Sequence, residues 1–598
     1  MPYRNKRFDT GLLTIGLFLF SALPLAPAWS QEGSPAASPP RDAAQSEAAR
    51  PAEPIPARQL KSATAKVIQR LAERGLISAA EAEALIAQAE EEARAAEGPP
   101  EGTKRVPYVP ETVKAQIRKE IEEEVLEEAK RNNWAAPNAI PEWTKRIRFG
   151  GDVRLRYEVD NMGDGNAVDY YPDFSGINTN KPFDVNFRDP SSERWLNTTQ
   201  RRSRVRIRAR IGVIADVGQG VTTELRLASG DGSTPVSTNQ TLGGSAGNFS
   251  KYQIWIDRVA LRYQVPSSEA WRLGVVLGRF ENPFFHTDLV WDDNVNFDGA
   301  ALQSSVRLGS SFQPFVVAGV FPVFNTAFDL AVERPDKFAS IDKWLYAAQI
   351  GTDWRPAQRV DVKFGLAYYF FDKVQGIQGS DCDTNLSYVT CDTDHSRPSF
   401  AQKGNTYRTL RTPSVDALEA ELMDGASRYQ FFGLSSLFRE LVATARIEVL
   451  ASRSQLKLAL EGDVARNLGF KPSAIAPDAV NNFKPCSAND TACNENPPYG
   501  GGSLGYLARI IVGTPQMSHL WDWNVSLSYR YLQSDAVLDA FTNSEFALGG
   551  TNNKGFVATA SLGIADNVAL TVRWLSSDVV VGPQFSIDVL HVDLTARY

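Results

Sequence analysis

Histidine, cysteine and methionine are scarce in this chain, four of each in 598 residues, and the scarcity removes several chemistries at once. The cysteines stand as two close pairs, Cys382 with Cys391 and Cys486 with Cys493, neither at CxxC spacing. His395, the nearest histidine, has no Cys or His partner at ligand spacing, so no metal site is expected. His286, His395, His519 and His591 form no recognisable constellation with a nucleophile; His286 beside Asp288 is the one candidate base, and neither an enzyme nor a cofactor is expected. Positive charge is not in excess either: the net charge of −7 has the wrong sign for a nucleic-acid binder. Beyond residues 1–30 there is no long apolar run, so a membrane role must come from alternation in strands.

At the start, Arg4, Lys6 and Arg7 precede an apolar stretch from Gly11 to Leu25, and Ala28 and Ser30 occupy the −3 and −1 positions before Gln31. The pattern predicts a signal peptide over 1–30, since a stretch broken by Pro24 and Pro27 falls short of the roughly 20 apolar residues of a spanning anchor. Three cations and one anion leave with it, so the exported chain carries −9. In an exported chain, cysteine pairs inside polar stretches predict local disulfides, Cys382 to Cys391 and Cys486 to Cys493.

Residues 31–59 are low-complexity Ala, Pro, Ser, Glu and Gln and read as a disordered linker. Two helical patterns over 60–97, separated by Gly75 and opened again by Ser78 with Glu81, predict a helical hairpin. After a linker over 98–109, a helix is expected over 110–132. Its Val113, Ile117, Ile121 and Val125 fall at intervals of four, either an oligomerising stripe or one modest docking face on a solvated helix.

From 146 to 598 the texture is period-two alternation in segments of about ten residues. In 522–531, Trp523, Val525, Leu527, Tyr529 and Tyr531 alternate with Asp522, Asn524, Ser526, Ser528 and Arg530. In 202–211, Arg202, Arg204, Arg206, Arg208 and Arg210 alternate with Val205, Ile207, Ala209 and Ile211. Such strands have one wet and one greasy face. Sixteen segments follow this pattern, from 146–159 to 587–598, joined by connections expected to alternate strictly between tight and long. An even strand count with these features predicts an all-β membrane protein, a 16-stranded antiparallel transmembrane β-barrel over 146–598 preceded by a short helical periplasmic region. A soluble sandwich has no reason to alternate its loops.

Function then has to be read from the lumen and the loops. The wet faces of the first five strands carry Arg146, Arg148, Arg154, Arg156, the ladder from Arg202 to Arg210, Arg226, Arg258, Arg262 and Arg272, against few acids such as Asp152 and Glu224. The connection after the fifth strand, 281–297, brings Glu281, Asp288, Asp292 and Asp293 together with Phe284, Phe285 and Trp291. Aromatics in a loop need something to bury against, and folding inward supplies it. Acids on an inward loop facing arginines predict a narrow zone with a transverse field. The expected pore wall is Arg202, Arg204, Arg206, Arg208, Arg210, Arg154, Arg156, Arg258 and Arg262, and the expected constriction is Glu281, Asp288, Asp292 and Asp293. The run Asp160 to Asn166 lacks the later glutamate of a calcium loop and reads as a polar loop.

The final strand, with Leu590, Val592, Leu594, Ala596 and terminal Tyr598 on one face, resembles the C-terminal signature of outer-membrane barrels. The segments Val106-Pro-Tyr-Val-Pro-Glu-Thr-Val-Lys114, Asn138-Ala-Ile-Pro-Glu-Trp143, Arg148-Phe-Gly-Gly-Asp-Val-Arg-Leu-Arg-Tyr157, the connection over 281–297, Asp342-Lys-Trp-Leu-Tyr-Ala-Ala-Gln-Ile-Gly351 and Phe546-Ala-Leu-Gly-Gly-Thr-Asn-Asn-Lys-Gly555 resemble the putative porin family of Gram-negative bacteria, from about Val106 to Tyr598. The resemblance implies a water-filled outer-membrane channel for small hydrophilic solutes or ions. From general trimeric porins it also implies a homotrimer in outer-membrane lipid and a constriction loop after the fifth strand. The alternative is a structural anchor whose periplasmic helices bind cell wall or oligomerise.

Overall fold

The structure, a computed structural model, describes residues 144–598 apart from 169, 185–193, 231, 233, 245–246, 268–269, 332–334, 380–389, 412–428, 452–455 and 488. Upstream it describes only Ala80, Glu83, Ala84, Leu85 and Ala87, all helical. The expected signal peptide, both linkers, the helix over 110–132 and most of the hairpin over 60–97 lie outside the described residues.

Sixteen long strands follow one another: β1 (Ile147–Met162), β2 (Arg202–Gly218), β3 (Val221–Ser229), β4 (Ile254–Gln264), β5 (Trp271–Glu281), β6 (Asn296–Val306), β7 (Phe312–Phe324), β8 (Lys343–Ala357), β9 (Val360–Asp372), β10 (Arg439–Leu450), β11 (Lys457–Asn467), β12 (Leu504–Gly513), β13 (Trp523–Leu532), β14 (Asn553–Ala565), β15 (Val568–Val579) and β16 (Ser586–Arg597). Each pairs antiparallel with the next, and β1 pairs with β16 from Asp152↔Arg597 to Met162↔Ile587, closing the barrel. Closure removes the edges that would otherwise expose unpaired backbone.

The alternation expected from sequence sets the faces. On β13 the apolar Trp523, Val525 and Leu527 are exposed, while Ser528 and Arg530 are buried, the reverse of a soluble protein. The seam explains the second glycine of Gly150-Gly151. Gly151 and Tyr598 exchange two backbone hydrogen bonds of 3.0 and 3.1 Å, and a Cβ on Gly151 would stand 2.3 Å from the Arg210 carbonyl.

One rim carries tight turns such as 219–220, 358–359 and 566–567; the other carries long connections such as 163–201 and 373–438. The expected strict alternation in length does not hold. The connection after β15 is only 580–585, because β15 runs on to Val579 and Val579 N–H donates to the Phe585 carbonyl at 2.9 Å, a tight hairpin. The turn over 514–522 is the longer of the two.

A polar lumen also does not announce the apolar core within it. Phe280, Phe284, Trp291, Phe297, Phe321, Tyr369 and Phe371 are buried inside the barrel near the loop rim. Phe284 meets Tyr369 edge-on at 5.3 Å, and Trp291 lies 5.6 Å from Phe541 of the connection after β13. Toward the turn rim the lumen opens into a polar cavity of about 940 Å³ beside Gln313, Asp353, Lys363 and Arg446.

Candidate pore wall and constriction

Because β1 and β2 are in register, the inward residues of one face those of the other: Asp152↔Arg210, Arg154↔Arg208, Arg156↔Arg206, Glu158↔Arg204 and Asp160↔Arg202. Asp152 takes both Arg208 and Arg210 at 2.6 Å. Glu158 pairs with Arg204 and, at 3.1 Å, with Arg206; Asp160 stands 3.2 Å from Arg204. Arg202, at the loop end, is exposed and donates to the Arg201 carbonyl. The row continues on β3 and β4, where Arg258 and Arg262 share Glu224 at 3.3 and 3.0 Å. Arg154 donates to Asn239 at 2.5 Å. The acids that face the ladder therefore come from the adjoining strand β1, an ordered ion-pair row. The side chains of Arg204, Arg206, Arg208 and Arg210 still keep 38, 16, 13 and 17% of their surface exposed.

Arg156 departs from the expectation. It is fully buried, with no exposed surface, because Asp593 on β16 holds its guanidinium with two bonds of 2.6 and 2.7 Å and Glu545 closes over it. Strand alternation gives the face a residue points to and says nothing of the loop lying on top of it.

The connection after β5 crosses inside the barrel. Phe285 N–H donates to Gln349 Oε1 on β8 at 2.8 Å, Gln349 Nε2 returns a bond to the Phe285 carbonyl at 2.7 Å, and the Thr287 hydroxyl donates to Asp463 on β11 at 2.5 Å. Phe284 and Trp291 are 3 and 2% exposed, so two of the loop's three aromatics find burial there. Its four acids part company. Glu281 meets Arg258 at 2.7 Å and Arg262 at 3.9 Å. Asp288 pairs instead with Arg509 on β12; against the cost of burial, Arg509 and Arg530 hold its carboxyl below the usual range. Asp292 accepts from Asn294 and Ser544 and, among the described residues, forms no ion pair; burial pushes it up to about 7. Asp293 is exposed. Only Glu281 lies against the arginine wall, and the expected field between four loop acids and the ladder is not what the side chains form.

The carboxylate that does close on the wall is Glu545, in the connection 533–552 after β13. It pairs with Arg156 and, at 2.6 Å, with Arg573 on β15, and lies 3.7 Å from buried His591. Burial alone would raise its carboxyl; Arg156 and Arg573 hold it well below the ordinary range. Glu545 immediately precedes the Phe546 to Gly555 segment, whose Ala547, Leu548, Gly549, Gly550 and Asn552 all have positive φ. That density of glycine and asparagine was the available signal for a tightly coiled, docked loop.

The same connection locks onto the one after β9. Asn405 Nδ2 donates to the Ser534 and Val537 carbonyls, and Asn405 N–H to Asp539 Oδ2 at 3.3 Å. A Cβ on Gly550 would come 1.7 Å from the Lys403 carbonyl, so only glycine permits this approach. Burial pushes Asp539 up to about 7. A carboxyl raised in the folded state stabilises docking most below its unfolded pKa of about 3.9, and the contribution is lost as pH rises through 7. The protection factors of 533–552, taken relative to the intrinsic exchange rate at each pH, should therefore be lower at pH 8 than at pH 5, and Asp539→Asn should flatten that difference; equal protection at both pH values in the unaltered chain would contradict it.

Cys486 is disulfide-bonded to Cys493. Cys391 is also disulfide-bonded, and Cys382 lies outside the described residues. Asn166 donates to the Thr198 and Ser586 carbonyls and Asp160 faces Arg204, so the Asp160 to Asn166 run is tied into the wall. His286 contacts the Thr287 carbonyl through Nδ1. Among the described residues there is no group of three potential metal ligands.

A closed barrel of sixteen strands, apolar outside and charged within, defines the outer-membrane channel class. A family model described as "Putative porin" matches residues 61–598, and the chain belongs to that family. No curated protein sequence matches it. Among solved structures it is similar to Pseudomonas putida OprB, with 10% identity over 76% of this chain and 95% of that one, at a TM-score of 0.38. It is also similar to the outer membrane channel DcaP of Acinetobacter baumannii, with 9% identity, 76% and 97% coverage and a TM-score of 0.33. A third is Salmonella typhi OmpF, with 8% identity, 76% and 97% coverage and a TM-score of 0.34. At such identities none of these neighbours assigns a solute to this chain.

Proposed function

We propose that this porin-family barrel is a non-enzymatic diffusion channel for small hydrophilic solutes. Its water path follows the arginine row on β2 to β4 and is narrowed where the connection after β5 and the Glu545 connection approach that row. The observation that carries the reading is a row of charged side chains that stay partly exposed on the inside of a cylinder whose outside is apolar. An arginine turned to lipid near the midplane would cost about 2–4 kcal/mol, so such a row belongs to water. Membrane passage by a wet lumen also explains why the polar cavity at the turn rim lies under the loop carrying Phe285.

Liposome swelling tests it. Proteoliposomes should swell quickly in a pentose and progressively more slowly in di- and trisaccharides. Impermeable liposomes, as a structural anchor with a plugged barrel would give, contradict the proposal.

A further inference from the structure

At the loop rim, away from the ladder, described residues of the connections 163–201, 373–438, 468–503, 533–552 and 580–585 enclose a cavity of about 540 Å³, within the range of about 300–1,000 Å³ found for small-molecule sites. Its walls are Tyr171, Phe174, Trp195 and Phe483, and its charged groups are Lys403 and Lys484; among the described residues no Asp or Glu lines it. The floor amides are already committed. Asn552 Nδ2 donates to Asn482 Oδ1 at 3.0 Å and to the Val581 carbonyl at 2.7 Å, while Asn482 Nδ2 donates to the Gly404 carbonyl at 2.9 Å. Those bonds join the connections 373–438, 468–503, 533–552 and 580–585 and leave few groups free to read sugar hydroxyls.

Lys403 is the exception. It is 9% exposed, its ammonium stands 4.7 Å over the Phe585 ring, and among the described residues no carboxylate pairs with it. A buried cation without an anion is costly, and a ligand anion would relieve that cost. Burial, reinforced by Arg530 and opposed in part by Asp539, which attracts it without an ion-pair contact, lowers its pKa to about 8. Lys484 stands exposed at the entrance, on a segment braced by the Cys486–Cys493 disulfide.

We propose that this cavity captures small carboxylates bearing an aromatic ring, with Lys403 holding the carboxylate and the aromatic walls holding the ring. Aromatic walls over a floor whose amides are already bonded favour an aromatic ring over a sugar, whose hydroxyls would find few partners. Two ammonium groups without a guanidinium fork suit a single carboxylate better than a phosphate cluster. The inference rests on the channel reading, for which it names a class of solute held at the mouth.

Calorimetric titration of the purified full chain in detergent tests it, with benzoate as probe and benzyl alcohol and acetate as the neutral and ring-free controls. Benzoate should bind saturably and both controls far more weakly. Lys403→Met should weaken benzoate about 10-fold or more, the scale of one lost charge-assisted contact, and the exposed Lys484→Gln should weaken it severalfold. If Lys403→Met does not fold, Lys484→Gln carries the test alone. Absence of saturable benzoate binding, unchanged affinity in the variants, or benzyl alcohol or acetate binding as tightly as benzoate would each overturn the assignment. Swelling separates the two readings: a permeable barrel that ignores benzoate removes only the capture site, whereas an impermeable barrel that binds it removes only the channel.

Discussion

Glu545→Gln should loosen the connection over 533–552 at the barrel wall. The substitution removes the anion shared by Arg156 and Arg573, and Arg156 has no exposed surface through which water could replace it. Asp593 remains bonded to Arg156, so one carboxylate is left for a cation that had two. Breaking a buried pair by removing one partner typically costs about 3–5 kcal/mol, and here the retained Asp593 places the loss near 3 kcal/mol. That is enough to loosen the stretch around Glu545, whose nearest other ties are hydrogen bonds such as Ser544 N–H to Asp292 at 3.1 Å, while buried Val537 and Leu538 and half-buried Phe541 keep the rest of the connection against the apolar core. The barrel itself should stay closed, because its strands pair through backbone. Hydrogen exchange should rise in the part of 533–552 around Glu545, with little change in β1 to β16. Glu545→Asp should lose less, having the charge but a shorter reach. Unchanged exchange in Glu545→Gln would mean that the ion pair does not hold the loop.

The barrel was legible because its causes are local. Alternation along 202–211 and 522–531 fixes the two faces, and backbone that must be fully paired in lipid leaves a closed cylinder as the solution. The inward course of the 281–297 connection was legible from Phe284 and Trp291, which bury where a loop on the surface could not bury them. The charge arrangement was not. Partners of Arg204 and Arg210 lie some fifty residues away on β1, and only the register that sets Glu158 opposite Arg204 names them. Asp288 and Asp292 were expected to face the ladder, yet side-chain geometry turns one to Arg509 and leaves the other buried beside Ser544. Glu545 and the burial of Arg156 depend on two loops docking into a lumen, a tertiary event with no period to reveal it. The connection after β15 is shorter than the alternation implies for a simpler reason: Ser576 to Val579 continue the strand despite their polar start.

The triple substitution Arg204→Gln, Arg206→Gln and Arg208→Gln should turn the pore wall toward cations. Arg204 and Arg206 neutralise Glu158, and Arg204 also faces Asp160; without them both acids lose their guanidinium partners, although His591 stays 3.4 Å from Glu158. Asp152 keeps Arg210 at 2.6 Å, so the change is concentrated toward the loop rim. Three cations disappear and two anions are uncovered along one stretch, in a confined lumen where low-dielectric walls focus the field and mobile ions screen it less than in bulk. The K+ to Cl− permeability ratio should rise by roughly threefold or more. Asp288→Asn and Asp292→Asn should change it far less, because Arg509 already neutralises the first and the second is buried at a carboxyl pushed up to about 7.

The zero-current potential across a planar bilayer under a KCl gradient, compared between the unaltered chain and this triple variant, tests most directly whether water and ions pass along the arginine row. Discrete conductance in both, with a potential displaced toward cation selectivity in the variant, is the expected result. A silent bilayer, or conductance with the same potential in both, would contradict a water path along Arg204, Arg206 and Arg208.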